Sequence, residues 1–261
     1  MAKVLKRSAL RIWGDVIFAI FLREIKSTFT DKFGLSWALI SPMIMVTTMV
    51  IMRNPFDGGS THSMPTVFFV VYGVVLVQFF LGTFGSTSNA IQKNKPLYAF
   101  RQVQPISSVL AISCFELLNK TALLLLLALL AYLFKFAPKM VDPLALLAVI
   151  FKVWILSASL GTMFSLAACF IPEVNKVKSI LTRPLFFISG IFFSLQDIPR
   201  VFWPYLTWNP LLHAVELARY YAYPAYGMVG VSEFYLNITT LTTLTLALCC
   251  YQISWKQAIS R

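Results

Sequence analysis

Polar and apolar positions divide the chain into one amphipathic segment followed by a series of long apolar runs. From Arg7 to Thr30 the polar positions recur every three or four residues, with an apolar stripe opposite them. This spacing predicts an amphipathic helix lying in a membrane interface, with Gly34 expected to end it. The polar positions are Arg7, Arg11, Asp15, Ala19, Arg23, Lys26 and Thr30, with Glu24 beside Arg23, and the stripe is Trp13, Ile17, Phe21, Ile25 and Phe29.

The remaining chain carries apolar runs of the length that crosses a bilayer, about 20 residues each. We predict an all-α integral membrane protein with six transmembrane helices, in which residues 1–34 form the cytoplasmic interfacial helix and residues 35–261 the transmembrane domain. The predicted spans are Leu35 to Met52, Thr66 to Gly85, Val109 to Phe134, Leu144 to Phe170, Ile180 to Leu195 and Phe234 to Tyr251.

The apolar sequence between the fifth and sixth spans is repeatedly interrupted by proline. Pro199, Pro204, Pro210 and Pro224 leave no run of about 20 apolar residues between them. The pattern predicts a re-entrant helical hairpin over residues 197–226. Irregular backbone at membrane depth is tolerated only where protein or a water-filled cavity satisfies its peptide groups, so this hairpin is expected to line a pathway.

The composition supports a membrane protein: 58% of the residues are hydrophobic, 12% are charged, and the mean hydropathy is +0.75. A net charge of +12 could indicate nucleic-acid binding, but basic residues in short loops between apolar spans more often orient a membrane protein. No nucleic-acid partner is therefore expected. The four cysteines lie in apolar runs without the spacing of a metal site, so no metal is expected either.

Basic residues set the predicted orientation. With both termini inside, fifteen basic residues fall in inner segments and five in outer ones, which favours cytoplasmic termini and places the 197–226 hairpin on the outer side of the membrane.

The longest inner connection, residues 88–105, is more amphipathic than a linker requires. Pro96 can open a short helix and Pro105 is expected to close it. We predict that this coupling loop docks on a cytoplasmic partner, with a solvated loop at the headgroups as the alternative. The residues assigned to coupling are Asn94, Lys95, Pro96, Leu97, Tyr98, Phe100 and Arg101.

Ionisable residues inside the predicted spans are candidates for a translocation path. Glu116 and Lys120 lie one turn apart in the third span, and Lys152 lies in the fourth. Counting along the helices puts Lys120 and Lys152 near mid-membrane, where an ionised group must be paired or hydrated. A structural ion pair of Glu116 with Lys120 or Lys152 is equally open.

The outer hairpin adds aromatic and charged candidates for the same path. Aromatic rings stack on sugars as readily as they anchor at headgroups, and Glu216 with Arg219 could hold sugar hydroxyls or carboxylates. The candidates are Trp203, Tyr205, Trp208, His213, Glu216 and Arg219. Catalytic patterns such as a P-loop or HExxH do not occur in the 261 residues.

Several motifs resemble the capsular polysaccharide export permeases of the ABC-2 (KpsM-like) family. The similarity runs from about Phe21 to the last span, and the segment from Trp208 to Leu217 is the most specific match. The other motifs are Phe21 to Lys26 before Gly34-Leu35-Ser36-Trp37, then Ile171-Pro172-Glu173 and Pro184 to Gly190.

The resemblance implies a bacterial inner-membrane permease that forms a homodimer and pairs with two copies of a separate ABC ATPase. This chain would bind no cofactor, since ATP and Mg²⁺ belong to the ATPase. The cargo would be a lipid-linked, usually acidic polysaccharide, passed to a periplasmic adaptor and an outer-membrane exporter. Alternatives are an ABC-2 permease for O-antigen or teichoic acid, a membrane-embedded transferase and a passive channel.

Overall fold

The computed structural model describes residues 8–30, 32–133, 135 and 140–260. Helix α1 spans Ala9–Thr30, and α2 spans Lys32–Asp57. The polar positions of α1 from Arg11 to Thr30 are exposed and Ile20 is buried, so the helix has the predicted polar face over these residues, while Arg7 lies outside them. Its location in a membrane interface stays a prediction. The prediction that Gly34 ends the first helix is wrong, because α1 ends at Thr30 and Gly34 lies inside α2.

A short antiparallel hairpin, β1 (Ser60–Thr61) and β2 (Met64–Pro65), joins α2 to α3. Helix α3 (Thr66–Ser88) begins at the predicted residue and is the most buried of the long apolar helices that the structure describes, packing against α2, α5, α6 and α8. It is followed by α4 (Ala90–Lys93) and a 3₁₀ helix (Lys95–Ala99). A helix that is apolar on all sides must be surrounded, which places α3 at the centre.

Helices α5 (Pro105–Leu133) and α6 (Pro143–Phe170) form the next layer. The Asp142 carboxylate caps α6 by accepting a hydrogen bond from the Ala145 amide at 3.0 Å, and Pro143 occupies the first turn, where no amide donor is needed. Helix α6 approaches α3 closely at Gly161, where a Cβ atom would come within 2.7 Å of Thr87 Cβ.

Helix α7 (Val174–Ile188) is shorter than the predicted fifth span, which was placed at Ile180 to Leu195. Gly190 follows its end with φ +78°, a left-handed conformation that turns the chain out of the helix. Its 15 residues extend about 22 Å, less than the hydrocarbon core of a bilayer. Because α7 runs from Val174 to Ile188, both predicted bounds of this span, Ile180 and Leu195, are wrong.

Two 3₁₀ helices (Leu195–Asp197 and Arg200–Tyr205), helix α8 (Pro210–Ala222) and a 3₁₀ helix (Pro224–Tyr226) complete the proline-rich segment, and α9 (Glu233–Ser260) ends the described chain. Among the described residues, α3, α5, α6 and α9 are long and apolar enough to cross a membrane. The predicted total of six spans stays a prediction.

Two apolar clusters hold the bundle together. The larger one joins α3, α6 and α8, with Phe69, Val153 and Leu217 among its most buried members. The smaller one lies at the other end of α3 and joins the 88–105 loop to α5, α6 and α9 through residues such as Ile91, Tyr98 and Leu166. Each end of α3 is thus packed against a segment that sequence analysis assigned to function.

Candidate functional site

The N-terminal helix and the 88–105 loop are joined by four polar residues, which we call the α1 clasp: Arg23, Glu24, Lys93 and Asn94. Glu24 is buried, and its carboxylate accepts hydrogen bonds from Lys93 Nζ at 2.6 Å and Arg23 Nη2 at 2.9 Å. Arg23 also donates to Asn94 Oδ1. Two sets of residues that were predicted separately, in α1 and in the loop, therefore form one site.

Electrostatics favours the ionised form of the clasp. Burial alone would raise the pKa of Glu24, but the hydrogen bonds from Lys93 and Arg23 outweigh it and hold this pKa below its ordinary value. Lys93 was not assigned to the site by sequence analysis. Its position three residues before Pro96 gave no signal, since its partner lies 69 positions away in the chain.

Besides the clasp to α1, the loop is anchored to α6 and α5. The Ile91 amide donates to Ser165 Oγ of α6 at 3.1 Å, and Gln92 Nε2 donates to the Ala168 carbonyl at 2.8 Å. The Tyr98 hydroxyl donates to Ser108 Oγ of α5 at 3.0 Å, and burial raises the pKa of Tyr98 to about 12. Asn94 is fully buried and donates to the Ala90 carbonyl.

The rest of the coupling set faces outward. Lys95, Pro96, Phe100 and Arg101 are exposed, with 66% of Phe100 accessible, while Leu97 is half-buried. The short helix ends at Ala99, so the prediction that Pro105 closes it is wrong: Pro105 is the first residue of α5. The assigned residues therefore divide into buried anchors and an exposed apolar and cationic surface.

Glu116 and Lys120 both face α3 from α5, in agreement with the prediction that they share one helix face. Glu116 accepts a hydrogen bond from Ser86 at 2.6 Å, and a Cβ atom at Gly82 would lie 3.5 Å from Glu116 Oε2 and 3.7 Å from Lys120 Cε. Both charged side chains therefore lie against α3 at the level of Gly82.

Lys152 does not join them. Its ammonium donates to Glu233 Oε1 at 2.6 Å, and Glu233 also accepts a hydrogen bond from the Tyr221 hydroxyl at 2.8 Å. Glu233 is the first residue of α9, so Lys152 is paired near a helix end, and the suggested pairing with Glu116 is wrong for Lys152. Sequence analysis missed Glu233 because it lay just before the predicted last span.

Arg219 is the centre of a buried network at the other end of α3. Its guanidinium is fully buried and donates to the Phe69 carbonyl at 3.1 Å, the Gly190 carbonyl at 2.7 Å and Glu216 Oε1 at 3.0 Å. The guanidinium carbon lies 3.5 Å from the centre of the Phe69 ring. This network holds the chain after α7 against the first turns of α3.

Glu216 is equally occupied, accepting hydrogen bonds from the Tyr226 hydroxyl at 2.9 Å and Ser194 Oγ at 3.4 Å. The expectation that Glu216 and Arg219 hold sugar hydroxyls is therefore wrong for this arrangement, because protein groups fill their hydrogen-bonding positions and no surface remains. A Cβ atom at Gly73 would come within 2.7 Å of Arg219 Nη2, so that glycine makes room for the network.

His213 is also internal. One ring nitrogen lies 2.7 Å from the Thr207 carbonyl and the other accepts from the Ser232 amide at 2.9 Å, which corresponds to the neutral ring. With both nitrogens occupied and the ring buried, His213 connects the segments before and after α8 and does not line an open path.

Three predicted aromatic residues remain near the surface. Tyr205 and Trp208 are exposed, and Trp203 is half-buried, with its indole nitrogen donating to the Ile198 carbonyl at 2.9 Å. Asp197, at the start of the predicted hairpin, pairs with His62 at 2.7 Å and Arg53 at 3.6 Å. Sequence analysis missed this contact between the β hairpin and the proline-rich segment.

Comparison with known proteins gives a consistent result. A family model described as ABC-2 type transporter matches residues 15–223. The polysialic acid transport protein KpsM of Escherichia coli is 35% identical over 252 residues, covering 94% of this chain and 96% of that protein. The capsule polysaccharide export inner-membrane protein BexB of Haemophilus influenzae is 22% identical, covering 90% and 92%. The corresponding CtrC protein of Neisseria meningitidis serogroup A is 21% identical, covering 81% and 80%.

Proposed function

Because the chain belongs to the ABC-2 type transporter family, we propose that it is the inner-membrane permease of a bacterial exporter of capsular polysaccharide. The observation that carries this proposal is the similarity to KpsM over nearly the full length of both chains. The permease provides a path and no catalytic step. BexB and CtrC, which are named as capsule polysaccharide export proteins, support the same class of cargo.

The energy source in this proposal is a separate ABC ATPase, which binds ATP and Mg²⁺ and docks on the 88–105 loop. The division of this loop into buried anchors and an exposed surface supports such a role. Tyr98 and Asn94 fix the loop to α5 and α1, while Phe100 and Arg101 remain accessible to a partner. A rigidly held contact surface transmits a displacement to α3 and α5 instead of absorbing it.

The membrane arrangement in the proposal has six spans, cytoplasmic termini and a re-entrant hairpin over residues 197–226. Helix α8, with 13 residues, extends about 20 Å and cannot cross a bilayer alone. Before α8 the Gly190 carbonyl accepts a hydrogen bond from Arg219, and after α8 the Tyr226 carbonyl accepts one from Gln196 Nε2, so side chains satisfy irregular backbone on both sides, as non-helical backbone at membrane depth requires.

A homodimer completes the path, because one bundle of this size has a packed interior and the wide path for a glycan needs a wall from two copies. The cargo is lipid-linked and acidic, and it is handed to a periplasmic adaptor and an outer-membrane exporter. Glu116 and Lys120 beside Gly82, and the exposed Tyr205 and Trp208, are the remaining candidates for contact with the glycan.

The test combines export with partner binding. Deletion of this chain in its own cell should trap capsular glycan in the cytoplasm, and the tagged chain should co-purify with an ABC ATPase at two copies of each. Replacing residues 94–101 by a Gly/Ser linker should abolish both export and co-purification, whereas Gln102→Ala, in the same loop, should leave both intact. Export that continues with the Gly/Ser linker would overturn the coupling assignment, and glycan at the cell surface after deletion would overturn the proposed function.

A further inference from the structure

A cleft lies between α3 and α7. It is an open groove with a volume of about 500 Å³. Its lining combines basic, hydroxyl and apolar side chains: Leu81, Gly85, Lys178, Ser179, Thr182, Arg183, Phe186 and Phe187.

The cleft is cationic. Lys178 donates to Ser88 Oγ and to Asn89 Oδ1, both at 2.9 Å and both uncharged. Arg183 is exposed and forms no ion pair with any of the residues that the structure describes. No carboxylate lines the cleft, so two positive charges lie there without a counter-charge from the described part of the chain.

Two cations of α7, Lys178 and Arg183, provide the donors for an anion that carries several acceptor oxygens. The Ser179 and Thr182 hydroxyls donate to the Asn175 and Ser179 carbonyls at 3.1 and 3.2 Å, so the anion is held by the two charged groups. A guanidinium binds phosphate through two parallel hydrogen bonds, and an ammonium adds a point charge.

The remaining walls suit a hydrocarbon chain. Phe186 and Phe187 contact each other edge to face at 5.5 Å, and Leu81 lies opposite on α3. A Cβ atom at Gly85 would meet nothing within 4 Å, so the cleft continues past this position without obstruction. A cationic site that fits an anionic headgroup thus lies next to an apolar groove.

We infer that this cleft binds an anionic phospholipid of the surrounding bilayer, with the phosphate between Lys178 and Arg183 and an acyl chain against Phe186 and Phe187. Uncompensated cations at a membrane surface are stabilised by anionic headgroups. The site lies at the C-terminal end of α3, beside Ser88 and Asn89, where the 88–105 loop begins. A bound lipid would therefore contact the helix that connects the loop to the bundle centre.

The test measures lipid retained by the full chain, purified together with its ATPase partner and exposed to vesicles of phosphatidylglycerol or phosphatidylcholine. Native mass spectrometry should show at least tenfold more bound phosphatidylglycerol than phosphatidylcholine. The double variant Lys178→Gln with Arg183→Gln should lose this preference. Lys176→Gln, an exposed lysine of the same helix outside the cleft, should retain it.

The double variant can fail to fold because it removes the Lys178 hydrogen bonds, so the single variant Arg183→Gln is measured as well. Arg183→Gln should reduce the preference for phosphatidylglycerol at least threefold. The inference would be overturned if the unmodified chain bound the two lipids equally, or if Arg183→Gln left the preference unchanged. It would also be overturned if a second copy of this chain were cross-linked into the cleft, or if the bound lipid carried glycan. The readout needs no transport, so a failure of export with the lipid preference intact refutes only the proposed function.

Discussion

Substitution of Glu24 by glutamine tests whether the α1 clasp holds the 88–105 loop. The change keeps the size and shape of the side chain but removes the charge that accepts hydrogen bonds from Lys93 at 2.6 Å and Arg23 at 2.9 Å. Because the Glu24 side chain is 8% exposed, water cannot replace these partners freely, and the loop is expected to open more often.

The magnitude follows from the exposure of each partner. A hydrogen bond to a charged group contributes about 1.5–3 kcal/mol, whereas an exposed ion pair contributes about 0.2–1 kcal/mol. The carboxylate is buried, but the side chains of Lys93 and Arg23 are 55% and 44% exposed and are rehydrated when the clasp opens. We therefore expect a loss of about 1–2 kcal/mol, which increases the open population of the loop about 5–30-fold.

Amide hydrogen exchange provides the assay, since local opening exposes the amides of Lys93, Asn94 and Leu97, which are hydrogen-bonded to Asn89, Ala90 and Asn94 respectively. Exchange in the Glu24→Gln variant should accelerate at these amides and stay unchanged in the core of α6. Lys26→Gln is the matched control, because Lys26 lies on the exposed face of the same helix. The double variant Glu24→Lys with Lys93→Glu should recover part of the protection.

The same clasp has a defined pH dependence. Since the pKa of Glu24 is below its ordinary value in the folded protein, the clasp contributes fully above the ordinary carboxyl pKa of about 4.3. The contribution is lost as the pH falls through the lowered pKa. The difference in exchange between the unmodified chain and Glu24→Gln should be constant near neutral pH and vanish in acid. Equal exchange rates at neutral pH would refute the reasoning.

Three further changes test other parts of the structure. Gly190→Ala places a side chain at φ +78° and within 2.7 Å of a leucine methyl group, so thermal unfolding should show a loss of about 1–3 kcal/mol, while Gly14→Ala, in open space, should cause none. Arg219→Met leaves the buried Glu216 carboxylate uncompensated and should cost about 3–5 kcal/mol, with Arg219→Lys intermediate; a variant as stable as the unmodified chain would contradict the network. Phe100→Ser should change stability by less than about 0.5 kcal/mol but weaken ATPase binding at least tenfold in a pull-down, and unaltered binding would exclude Phe100 from the contact.

Local sequence patterns predicted most of the helices. The start of α3 at Thr66 and the end of α6 at Phe170 agree with the predicted spans, because apolar runs that end in polar or proline residues mark helix boundaries directly. The polar face of α1 was predicted by its spacing alone. The predicted C-terminal end of α7 was wrong because the apolar run continues past Gly190, whereas the left-handed backbone conformation at Gly190 turns the chain out of the helix.

Only the tertiary structure decided which polar groups meet. Glu24 and Lys93 are 69 positions apart, Lys152 and Glu233 are 81 apart, and Arg219 reaches the Phe69 carbonyl across 150 positions. Sequence alone identified several of these residues as candidates, since charged groups in apolar surroundings need a partner. The choice between substrate and protein as that partner depends on how helices distant in sequence pack around α3, and helix periodicity specifies the face of each helix without specifying its neighbour.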